Sequence, residues 1–169
     1  MATILCLETS TTNCSVALSV NGSVIALKED NSNQYSHAER LHVFIEEVLS
    51  ESNIKKDDLD AIAISKGPGS YTGLRIGVSA AKGLCFALDV PLISIPTLEI
   101  LASQLQIENG LIISMLDARR MEVYSSVYNK EIIEVRETKA EVIDETSFVS
   151  FLDIENVFFI GNGAVSYTH

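Results

Sequence analysis

The chain has 169 residues, enough for one ordinary domain or two small lobes and for a core that needs no disulfide or metal. Hydrophobic residues make up 47% and charged residues 21%, which excludes a disordered or low-complexity chain, and no apolar run approaches the roughly 20 residues of a membrane span. Lys and Arg number 12 against 23 Asp and Glu, a formal charge of −11, which argues against tight nucleic-acid binding by the chain alone but not through a basic partner.

Met1 to Cys6 lacks the basic n-region and apolar h-region of a signal peptide, and Ala2–Glu8 reads as a first strand. A polar run, Thr9 to Asn13, precedes an alternating strand over Cys14–Val20. Asn21-Gly22, two residues that tolerate positive φ, then predict a tight hairpin into a return strand, Ser23–Leu27. Glu29 to Tyr35 reads as polar loop. Ser36 and Glu39 have capping-box spacing, and behind them Leu41, Phe44, Ile45, Val48 and Leu49 form one apolar helical stripe. Leu59–Ser65 reads as a strand and Lys66–Gly73 as a tight glycine-rich loop. A helix rich in small residues is expected over Thr72–Leu88, a strand over Val90–Ile95, and a third helix from Pro96 to Gln104.

That order, β-β-β-α-β-α-β-α, begins afresh at Leu111–Leu116. Ile4 to Glu8 and Ile113 to Asp117 are each a strand ending in an acid and followed by a polar turn and a second strand, from Cys14 and Val123. This faint repeat suggests duplicated lobes. Phe148 to Ile160 reads as a last apolar strand before Gly161-Asn162-Gly163-Ala164. No closing helix follows before His169, so the second lobe is expected to be incomplete and the natural protein longer.

Gly67, Gly69, Gly73 and Gly77 flank a strand-to-helix transition, where backbone amides can be aimed at a phosphate; GxxxxGK[ST] is absent, and the other reading is a turn in which glycine permits close packing. Glu8 and Asp117 end the two lobe-initial strands. They can hold a metal–nucleotide complex or act as acid and base, or simply satisfy turn amides. Thr9, Ser10 and Thr11 can likewise contact phosphate or cap their turn, and Arg119-Arg120 can clamp an anion or be a solvated turn. His37 and His42 diverge by roughly 140° around a helix, which argues against a shared metal. Cys6, Cys14 and Cys85 lack CxxC spacing and read as small core residues in a reducing compartment, with the cytoplasm as the address. There is no GxSxG and no nucleophile set. The second helix carries small residues on several sides (Gly77, Ala80, Ala81, Gly83, Ala87), which suits contact with a helix of another chain as well as core packing.

The run Lys66-Gly67-Pro68-Gly69-Ser70-Tyr71-Thr72-Gly73-Leu74-Arg75-Ile76-Gly77 strongly resembles the TsaB (YeaZ) family of bacterial threonylcarbamoyladenosine biosynthesis proteins. Ile4 to Ser10, Ser36 to Leu41, Pro96 to Glu99, Asp117 to Tyr124 and Gly161 to Ala164 support it, in the family's order and over nearly the whole chain. The resemblance implies an α/β, actin-like (sugar kinase/Hsp70/actin, ribonuclease H-like) fold of two duplicated lobes, each a mixed sheet with helices. These are placed at 1–98 and 99–169. It implies a non-catalytic scaffold for the metal-holding paralogue TsaD, which transfers a threonylcarbamoyl group to the adenosine beside the anticodon, with the ATPase TsaE joining the pair. It further implies a homodimer when alone, tRNA reached only through the complex, no membrane, no metal and no catalytic residue.

No tightly bound cofactor is implied. The family's cleft is degenerate, which leaves weak ATP or ADP binding at the complex interface. Glu8 stands where relatives commonly have Asp. The partner surface falls on Ser36–Ser50 and Thr72–Leu88. Leu41, Phe44, Ile45 and Val48 on the first helix, with Leu74, Arg75, Val78 and Ala81 on the second, are expected to supply it, some serving the core instead. The rival readings are a phosphotransferase of the same fold, which needs tight Mg-ATP binding and a catalytic carboxylate, and a glycoprotease-like peptidase.

Overall fold

The computed structural model describes residues 2–31, 37–120, 122–153 and 156–164, and the chain divides into two units, Met1–Ile95 and Pro96–His169. The first unit contains β1 (Thr3–Glu8), β2 (Cys14–Val20), β3 (Ser23–Asp30), α1 (His37–Ser52), β4 (Ala61–Ser65), α2 (Tyr71–Leu88) and β5 (Leu92–Ile95). Its sheet runs β3-β2-β1-β4-β5. β1 pairs antiparallel with β2 and parallel with β4, and β4 parallel with β5.

Local chemistry sets these elements. Asn21 and Gly22 take φ of 52° and 80°, the left-handed pair whose twist matches that of the flanking strands. Period-2 alternation then puts Leu5, Leu7, Val16, Leu18, Ile62 and Ile64 on one sheet face, all buried. The α1 stripe of Leu41, Phe44, Ile45, Val48 and Leu49 covers that face together with Ala81 of α2. The Ser36 half of the expected capping box lies outside the described residues.

The opposite face of the same sheet is barer. One cross-strand row reads Leu27, Ala17, Cys6, Ala63, Ile93 from edge to edge. Its outer members, Leu27 and Ile93, are 52% and 37% exposed.

The second unit contains α3 (Thr97–Ala102), β6 (Leu111–Arg119), β7 (Glu122–Asn129), β8 (Glu134–Val142), α4 (Val149–Leu152) and β9 (Val157–Ile160). Its sheet, β8-β7-β6-β9, has β6 antiparallel to β7 and parallel to β9. That repeats the β3-β2-β1-β4 pattern of the first unit, so the lobes are duplicated and the fold is the actin-like, ribonuclease H-like one that the resemblance implied. Both faces of this sheet are covered. Ile112, Leu116 and Tyr128 meet Leu98 and Ala102 of α3. Ile113, Met115, Val123 and Val127 meet Ile143 and Phe148.

Three local expectations change. β3 continues through Glu29 and Asp30, which were expected in a loop. It does so because its charges have partners: Lys28 meets Glu51 at 2.6 Å and Asp30 meets Arg40 at 3.7 Å, both on α1. β8 is an additional strand with no counterpart in the sequence reading. Phe148–Ile160 is not one strand: Val149–Leu152 is a helical turn begun by Phe148 at φ 66°, and only Val157–Ile160 is extended.

Candidate functional site

Two places in the first unit concentrate the residues singled out by sequence. One is the junction of the β1 end with the glycine-rich loop. The Glu8 carboxylate turns back on its own loop, its Oε1 accepting from the Ser10 N–H at 2.6 Å and from the Ser65 hydroxyl at 2.8 Å. The Ser10 carbonyl accepts the Ser70 N–H at 2.6 Å. Ser70 caps α2, its hydroxyl taking the Gly73 N–H at 3.3 Å. Thr9 and Ser10 are fully buried beneath this contact.

The glycines explain the fit. A Cβ on Gly69 would lie 2.4 Å from the Ser10 carbonyl oxygen, one on Gly73 2.1 Å from that of Thr9, and one on Gly77 2.2 Å from Thr9 Oγ1. Only a hydrogen allows the first turns of α2 to close on the strand end. Gly67, at φ 100°, turns the chain out of β4. The structure therefore brings together Glu8, Thr9, Ser10, Gly69 and Gly73, with Thr11 beside them, its hydroxyl accepting the Asn13 N–H at 3.2 Å.

Asp117 belongs to the second unit and repeats the Glu8 arrangement. Its Oδ1 accepts the Arg119 N–H at 2.8 Å, two residues on, and its own N–H donates to Asn162 Oδ1 at 3.0 Å. Gly161 follows β9 as the loop glycines follow β4, and a Cβ on it would lie 2.1 Å from the Met115 carbonyl oxygen. Arg119 and Arg120 both take positive φ at the β6–β7 turn.

The second place is an open groove of about 660 Å³ along α1 and α2, lined by Ala38, His42, Arg75, Ile76, Ser79, Ala80, Gly83 and Leu84. Helical spacing sorts the expected partner residues sharply. Leu41, Phe44, Ile45, Val48 and Ala81 point into the core and are buried. Leu74 and Val78 are half-buried, and Arg75 is exposed in the groove. Ser79, Ala80 and Gly83 supply the surface that the apolar stripe does not. Phe86 on α2, 92% exposed, is a further surface residue that the sequence reading did not single out. An aromatic on the solvent side of a helix whose core side was already accounted for was the signal available.

Gly83 differs from the other α2 glycines. A Cβ built on it meets nothing within 4 Å. His37 is buried, with Nε2 3.3 Å from the Asn13 carbonyl oxygen, while His42 lies in the groove. Among the described residues no group of three or more His, Cys, Asp and Glu is placed to hold a metal ion, and no helix is long and apolar enough to cross a membrane. Burial, with Asp30 and Glu8 adding to it, pushes the Cys14 thiol up to about 11. Burial also raises Cys6 and Cys85.

Residues 31–159 match the family model described as TsaD, tRNA N6-adenosine threonylcarbamoyltransferase. The tRNA threonylcarbamoyladenosine biosynthesis protein TsaB of Haemophilus influenzae is 35% identical over 98% of this chain and 74% of its own length. Its Bacillus subtilis namesake is 38% identical over 75% of this chain and 55% of its own length. The solved structure of YeaZ from Pseudomonas aeruginosa superposes with a TM-score of 0.86 at 30% identity, covering 99% of this chain and 80% of that one.

Proposed function

This chain belongs to the TsaB (YeaZ) family, and from that premise we propose that it serves threonylcarbamoyladenosine formation in tRNA as a non-catalytic subunit. It pairs through α1 and α2 with the transferase paralogue, TsaD, and the ATPase TsaE joins the pair. The assembly works in the cytoplasm and acts on the adenosine beside the anticodon, and tRNA reaches this acidic chain only through its partners.

The observation that carries the reading is the open groove. Its lining includes the small side chains of Ala38, Ser79 and Ala80 and a glycine, Gly83, against which no described residue packs. Glycine inside a helix costs roughly 1 kcal/mol relative to alanine, and a close-packed second helix is what makes use of the space. The glycine-rich loop supports the same reading. Its hydrogen-only approaches to Thr9 and Ser10 give Gly69, Gly73 and Gly77 a geometric task, setting α2 against the sheet. On this view the chain holds no cofactor tightly, and ATP or ADP binds weakly, at the interface of the complex.

Size-exclusion chromatography with light scattering tests this, on the chain alone and mixed with the transferase paralogue of the same organism. We expect a homodimer that converts to a one-to-one heterodimer. A chain that elutes apart from the paralogue at every ratio, or one that turns over Mg-ATP unaided, overturns the proposal.

A further inference from the structure

The groove carries an electrostatic feature that the pairing reading does not itself require. Arg75 is exposed at one end of it, its guanidinium 5.4 Å from the Tyr71 ring centroid and donating to the Tyr71 hydroxyl at 3.0 Å. Among the described residues Arg75 makes no ion pair with a carboxylate, as is also true of Lys55, Lys66, Lys82, Arg119, Arg120 and Lys139, but of these seven Arg75 alone lines the groove. The groove lining adds one imidazole, His42, and no Asp or Glu. In a chain of net charge −11 this is a local positive spot facing outward, with its guanidinium set against an aromatic ring.

Resting on the pairing reading above, we propose that Arg75 is the residue by which the groove selects its partner: it takes a carboxylate on an apolar, small-residue helix that crosses α2 at Gly83. The geometry favours a different chain over a second copy. An isologous contact presents the same surface from both sides, and this lining has no carboxylate to answer its own guanidinium. A partner helix with an acid at the matching position gains a charge-assisted, bidentate bond. Self-association gains none from the lining itself, so the pair of charges acts on specificity. Tyr71 preorganises the guanidinium, and Gly83, open to a Cβ, is where two helix backbones come closest.

The test measures affinity for the transferase paralogue and for self across a salt series, with wild type, Arg75→Gln and Arg75→Lys. Wild-type heterodimer affinity is expected to fall as salt rises. Arg75→Gln is expected to weaken the heterodimer roughly tenfold and flatten its salt dependence, leaving self-association unchanged. Arg75→Lys should restore the salt dependence but only part of the affinity, since a lysine lacks the fork. Circular dichroism of each variant guards against a folding defect, and the wild-type salt series needs no variant at all. If wild type pairs with the paralogue but its affinity ignores salt, or Arg75→Gln pairs as wild type does, Arg75 is not the selector and the pairing reading stands. If Arg75→Gln weakens self-association as much as heterodimer, the discrimination is absent. If wild type does not pair with the paralogue, the pairing reading itself fails.

Discussion

Gly77 and Gly83 lie on one helix and answer opposite demands. Gly77 faces Thr9 so closely that any side chain displaces the strand end. Gly77→Val should cost about 3 kcal/mol of unfolding free energy by overpacking, read as a lowered urea midpoint. Gly83→Ala should do the reverse, adding about 1 kcal/mol to the isolated chain through helix propensity, while loosening the heterodimer on the pairing reading. A glycine count cannot separate the two cases, because the difference lies in what stands opposite each one. The thiols are a second residue-scale case. With Cys14 buried and its thiol pushed up to about 11, almost none of it is thiolate at pH 8, so a thiol reagent should label it only at the rate of unfolding. Prompt labelling of Cys14 in the native chain would contradict its placement.

At the scale of elements, periodicity made most of the fold legible. The Asn21-Gly22 hairpin, the α1 stripe and the helix that follows the glycine-rich loop each follow from short-range chemistry. The stripe did not reveal which apolar positions would be core and which surface. In the structure all of Leu41, Phe44, Ile45 and Val48 turned inward, because one amphipathic face is all that α1 has and the sheet takes it. β8 was illegible for a different reason. Its sequence, Glu134 to Val142, is charged and largely exposed, and its stability comes from a neighbour.

Arg136 on β8 contacts Glu141 at 2.7 Å, donates to the Ser125 hydroxyl and stacks 5.0 Å from the Phe148 ring centroid. This cluster ties β8 to Ser125 on β7 and to Phe148 at the start of α4. Burial pulls the Glu141 carboxyl upward, but hydrogen bonds from Arg136 and Ser125 outweigh it, and its pKa is lowered overall. A depressed carboxylate contributes stability that is complete above its unfolded value, near 4.3, and is lost as pH falls through the folded value. Glu141→Gln should therefore cost about 1–2 kcal/mol at pH 7, and the gap from wild type should close below about pH 4 in denaturant titrations. An unchanged gap at pH 3 would mean that the ion pair contributes nothing.

Across the whole molecule the duplication is plainest in hydrogen bonds: Glu8 to the Ser10 N–H and Asp117 to the Arg119 N–H close the same two-residue turn, at the last residue of β1 and two residues before the end of β6. The acid-ended strands were visible in the sequence as a faint repeat. The sheet-face asymmetry was not, because half-buried alanines and cysteines such as Ala17 and Cys6 read alike whether a helix covers them or not. The second sheet is covered on both faces, and the first leaves the row from Leu27 to Ile93 partly bare. That bare row makes the chain's colloidal behaviour depend on its own charge. At low ionic strength a net −11 keeps molecules apart despite the apolar row. Added salt screens that repulsion within about 8 Å at physiological strength and leaves hydrophobic contact intact, so light scattering from the concentrated chain should rise with sodium chloride. Storage in dilute, slightly alkaline buffer then suits it better than the high-salt buffers commonly used to keep proteins dispersed.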